Sequence, residues 1–174
     1  MERSSLSEKY VIDQEKVYTF EEIRPVVLKC IRERAKYLGM FYKHMPRDLF
    51  DKYAKLALYD YGAIRDVKTE AKGIGIIEDF LKSAFQSIGS TIGYGTIESK
   101  TESEIVFGMY GGCALVDGWR EMGLNDEDVD YLCKIACYGD KGQCESLGLE
   151  GHFTCTMTDS GCDCCKMVVR TRKE

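Results

Sequence analysis

Nine of the 174 residues are cysteines. Four of them, Cys155, Cys162, Cys164 and Cys165, crowd into GHFTCTMTDSGCDCCKMVVRT, residues 151–171. Thiols at that density offer four chemistries: cross-links, a metal site, a nucleophile, or small apolar packing. The odd count forbids complete pairing within the chain. The opening MERSSLSEKYVIDQEK is polar and unlike a secretion signal, so a cytoplasmic location with reduced thiols is expected, without a disulfide framework. Period-two alternation places Cys155 and Cys165 on the apolar face of a hairpin, Cys162 in its DSG turn and Cys164 on the other face. Four thiols divided in this way do not surround one ion, so a zinc ribbon is a poor match. A zinc site gathered from distant segments stays open, and no other cofactor is expected.

Cys113 follows Gly111 and Gly112 where a strand hands over to a helix. A thiol there feels the positive end of the helix dipole, which favours the thiolate. The bare YGGC backbone also lets an anion approach the first N–H groups. Cys133 and Cys137, four apart, share a helix face and read as core packing beside Val129, Leu132 and Ala136. Cys30 reads the same way. Asp140 is expected to end that helix, where a carboxylate opposes the dipole and calls for another reason. His44 and His152 could each be a base, but each reads first as an ordinary surface or cap histidine.

The elements that must hold these groups follow from periodicity. TFEEIRPVVLKCIRERAKYLG reads as a first helix, with a Thr19/Glu22 capping box, Ile23, Val27, Cys30 and Ile31 as its apolar stripe, and a stop at Gly39. A second helix is expected over about 46–65 with Leu49, Tyr53, Leu56 and Ala57 facing inward. A third carries Ile76, Phe80, Leu81 and Phe85, with Gly73 and Gly75 at its boundary. TIGYGTIES and EIVFGMY read as strands joined by KTES, the second buried on both sides. Two helices follow, the second capped by Asn125, and then the terminal hairpin. The expected fold is α+β: N-terminal helices packed on an antiparallel sheet of about four strands, with two helices inserted between two hairpins. One domain, 1–174, is expected, helical over 1–90 and carrying the sheet over 91–174.

The net charge of −5 argues against nucleic acid as a partner. No apolar run is long enough to span a membrane. A homo-oligomer is open.

The C-terminal half, with CALVDGWREMGL, LCKIACYGD and FTCTMTDSGCDCC, resembles the L-2-amino-thiazoline-4-carboxylic acid hydrolase-like family over about 105–170. Cys113, Cys133 and Asp140 fill the first parts of that family's pattern, and Thr154, Thr156, Gly161, Cys164 and Cys165 the last. Cys164 stands where many members have histidine, and Lys166-Met167 where they have an acid and Phe. The resemblance implies a hydrolase acting on a C–N or C–S bond of a small carboxylate. In that reading Cys113 is the nucleophile, Asp140 orients water, and Cys165 assists. Gly111, Gly112, Cys133, Thr156 and Cys164 bind the substrate. The alternative is a non-catalytic small-ligand or metal-binding sensor domain, and a third reading is a small assembly protein.

Overall fold

The computed structural model describes residues 19–65, 67, 69–86 and 94–172. Six helices and four strands run in the order α1 (Phe20–His44), α2 (Arg47–Ala63), α3 (Ile74–Gln86), β1 (Tyr94–Lys100), β2 (Glu104–Tyr110), α4 (Ala114–Glu121), α5 (Asp126–Ala136), α6 (Tyr138–Ser146), β3 (Leu149–Cys155) and β4 (Cys164–Thr171). The fold is α+β, with one antiparallel sheet in the order β1-β2-β4-β3.

The local signals act as physics requires. Glu22 N donates to Thr19 Oγ1 and Thr19 N donates back to the Glu22 carboxylate, which closes the capping box of α1. Asn125 accepts from Asp128 N at 2.8 Å to start α5. Gly73 takes φ +56° just before α3, a conformation glycine reaches at no steric cost. Helix α1 does not stop at Gly39 but continues to His44. Gly39 is instead a contact point, because a Cβ there would lie 2.7 Å from Met122 Sδ.

The α2 face is the reverse of expectation and the α1 stripe holds only in part, with Ile31 buried and Val27 half-buried. Leu49, Tyr53 and Leu56 of α2 are exposed, as are Ile23 and Cys30 of α1. In α2 the buried residues are Phe50 and Gly62, with Ala54 and Leu58 packed beside them. The reason is α6, an element sequence periodicity missed. A Cβ on Gly62 would sit 1.8 Å from Gly139 O, and one on Gly142 2.0 Å from Tyr59 O. The two backbones meet without side chains between them, so the larger apolar residues of α2 point away.

Two clusters make the core. One packs Ile77, Phe80 and Leu81 of α3 against Ile105, Phe107, Met167 and Val169 of the sheet. The side chain of Phe85 lies outside the described residues. The other joins α1, α2, α4 and α5 around Trp119, whose Nε1 donates to Ala35 O at 2.8 Å. Arg47 lies over the rings of Tyr42 and Tyr131, at 4.4 and 3.7 Å from their centroids, and ties α1 and α2 to α5. The outer face of the sheet is partly covered rather than open: Tyr110 lies over Gly108 and donates to Glu98 at 2.6 Å. Among the described residues, no helix is long and apolar enough to cross a membrane.

Candidate functional site

The two core clusters do not close on one another. Between them lies a cavity of about 480 Å³. It is bounded by Ile31, Ala35 and Leu38 of α1, Leu58 of α2, Phe107 and Met109 of β2, Trp119 of α4, and Cys133 and Ala136 of α5. Interiors are normally close-packed, so a space of this size within the usual 300–1,000 Å³ range of ligand sites is a feature to explain.

The sheet register brings two expected site residues here. Met109 pairs with Cys165 across β2 and β4, so Cys165 emerges beside the turn that leads into α4. Cys113 and Cys165 border the same cavity, with Gly112, Cys133 and Asp140. Gly111 and Gly112 both take φ +93° and make the tight turn, but only Gly112 borders the space. Thr156 is buried in the neighbouring loop, outside the cavity wall. Cys164 faces the other side of the sheet, as alternation requires, yet is only 5% exposed because that face is covered near Tyr110.

Cysteine ionisation departs from expectation. Cys113 is the N-cap of α4, but burial pushes its thiol up, against the smaller opposing pull of the Val116 and Leu115 N–H groups. The dipole of an eight-residue helix does not offset the desolvation of a thiolate. Cys165 is pushed up to about 12, first by burial. Cys133 is the exception. The Cys137 thiol donates to it and pulls it down to about 7 despite burial, with Thr158 and Thr156 adding smaller contributions. Each threonine hydroxyl has one proton to give. Thr156 Oγ1 also lies 2.9 Å from Asp159 and Thr158 Oγ1 2.8 Å from Asp130. The Cys137 S–H is therefore the donor Cys133 does not share. Cys137, left holding its proton, is raised. Sequence reading treated this pair as packing; its four-residue spacing was the available signal.

Asp140 does not end a helix. It stands in the first turn of α6, where a carboxylate favours the dipole, which removes the anomaly the sequence posed. It lies deep in the fold, yet 38% of its side chain stays accessible because it borders the cavity. Burial pushes its carboxyl up, while Arg65, 3.6 Å away, and Arg34 pull it back. These two arginines place positive charge at one end of an otherwise apolar space. Sequence reading did not single them out. His44 and His152 are both exposed and outside the cavity wall.

The expectation of fully reduced thiols is also corrected. Cys155 and Cys162 form a disulfide, with Cα atoms 6.3 Å apart. The β3–β4 pairing slips between Phe153 and Cys155. That bulge turns Cys155 off the inward face toward the loop, within reach of Cys162. Among the described residues, no group of three metal-ligating side chains comes together.

No protein-family model and no curated protein matches this sequence. The fold is similar to that of a solved structure, a trafficking protein particle complex subunit 3 from Naegleria fowleri covalently bound to palmitic acid. The TM-score is 0.51 and the identity 15%, over 83% of this chain and 96% of that one. The expected hydrolase of a thiazoline carboxylate is overturned by this likeness, because the similar fold is that of a trafficking complex subunit and not of such a hydrolase.

Proposed function

We propose that this chain is a binding domain that holds an apolar chain-like molecule, of the fatty-acyl class, in the cavity between its helices and sheet. The observation that carries the reading is the cavity: about 480 Å³, walled by Leu38, Leu58, Phe107, Met109, Trp119 and Phe153, with Arg34 and Arg65 beside Asp140 at its charged end. An acyl chain replaces the missing core contacts, and an arginine meets its carboxylate. The palmitic acid named with the similar subunit supports that ligand class. The small carboxylate expected from sequence supplies the head group but not the apolar body that these walls match.

The reading extends to assembly. Leu49, Tyr53, Leu56 and Tyr61 of α2 and Ile64 at its C-cap are exposed, as are Tyr37, Met40 and Phe41 along α1. Apolar stripes of this extent suit a protein partner, as in a complex subunit.

Native mass spectrometry of the protein incubated with palmitic acid tests the ligand. One bound equivalent is expected, retained against excess acetate and lost in Ala136→Trp, which fills the space. Circular dichroism checks that this variant folds. Absence of bound palmitate in the folded parent protein would overturn the reading.

A further inference from the structure

We propose that Cys133 and Cys137 form a redox-active thiol pair in the cavity wall, oxidised to a disulfide by an organic hydroperoxide. Both residues border the cavity, and four-residue spacing sets them on one side of the chain. Cys137 stands at the break between α5 and α6 and is the neighbour that most lowers the proton affinity of Cys133. The roles are unequal, as an attacking and a resolving thiol must be. Cys133 is held within α5 and carries the thiolate character. Cys137 keeps its proton and is the backbone cap shared by α5 and α6. The walls select the oxidant. A charged, strongly hydrated disulfide such as an oxidised peptide thiol loses its hydration among Leu38, Phe107 and Met109, whereas an apolar hydroperoxide does not.

The chemistry balances in two steps. The Cys133 sulfur attacks the terminal peroxide oxygen; an S–O bond forms, the O–O bond breaks, and the alkoxide leaves as an alcohol with one proton. Cys137 then attacks the Cys133 sulfenic acid; the S–S bond forms and the oxygen departs as water with the thiol proton. Two thiols and one hydroperoxide give one disulfide, one alcohol and one water. The two sulfurs together lose the two electrons the peroxide gains.

Closure has a structural consequence. Cβ atoms four apart on a helix stand about 5–6 Å from each other, whereas a disulfide needs about 3.5–4.5 Å. The break between α5 and α6 at Cys137 must therefore open, carrying the first turn of α6 and Asp140 with it. The pair does not depend on which ligand fills the cavity.

The test treats the freshly prepared protein with one equivalent of cumene hydroperoxide, blocks free thiols, and maps the peptides. A linked Cys133–Cys137 peptide is expected, with faster hydrogen exchange at the start of α6. In Cys137→Ser the reaction stops at Cys133 sulfenic acid, captured by dimedone, and in Cys133→Ser the linked peptide is lost. Recovery of both cysteines as free thiols, or Cys133 joined to a different cysteine, overturns the pair. So does a folded Cys137→Ser without a dimedone adduct.

Discussion

A thiol ionises according to what the thiolate loses in water and gains from its neighbours. Cys113 and Cys165 lose solvent and gain little, so burial holds their protons on. Cys133 gains a donor in Cys137 and is pulled down to about 7. The sign follows: below that value Cys133 is a thiol, and above it a thiolate, while its cavity neighbours remain protonated. Alkylation with iodoacetamide, mapped by mass spectrometry, should therefore show Cys133 labelled faster than Cys113 and Cys165 across pH 6 to 8, its rate rising about tenfold and levelling off while theirs stay low and climb about tenfold per pH unit. Equal rates for all three across that range contradict the assignment. The loop beyond Cys133 carries its own constraint. Closing the short Cys155–Cys162 loop contributes about 2–3 kcal/mol by chain entropy. Cys162→Ser should lower the urea midpoint by a corresponding amount, and an unchanged midpoint would show that the cross-link adds nothing.

Elements explain both what sequence made legible and what it hid. Capping signals at Thr19 and Asn125, the Gly73 boundary and the two strands joined by the KTES turn are local and are realised where they are read, whereas the expected burial of β2 on both sides fails at exposed Met109. The alternation of the terminal hairpin places Cys165 inward, and the pairing of β2 with β4 sets it near Cys113. What stayed hidden depends on distant partners. Helix α6, YGDKGQCES, has five polar or charged residues beside two glycines and no apolar stripe. It forms because α2 lies against its glycines. Without α6 in view, the inner face of α2 could not be told from the outer, and Asp140 was put at the wrong end of a helix. The raised proton affinity of Cys113 was hidden for a similar reason, since spacing shows a helix start but not its burial. Gly142→Ala tests the helix contact directly. Its methyl would meet the Tyr59 carbonyl, and overpacking of this kind costs about 1–3 kcal/mol, read as a lowered urea midpoint. No loss of stability would mean that α2 and α6 are not in backbone contact.

At the scale of the molecule, two cores meet imperfectly and leave a space, while two helices turn apolar stripes outward. The outer stripes predict self-association or partner binding. Light scattering of the parent protein should give a mass above one chain, or a partner-dependent shift. Leu56→Glu with Tyr53→Glu should return it to a single chain without unfolding. The inner space predicts a ligand, and the chain carries its own reporter, because Trp119 is its single tryptophan and borders the cavity. Titration with palmitic acid, followed by Trp119 emission, is the most direct measurement of the central claim. The account predicts a saturable change at about one equivalent, absent with acetate and abolished in Ala136→Phe, which narrows the space without adding a second tryptophan. Emission indifferent to palmitic acid in the folded parent protein would contradict it.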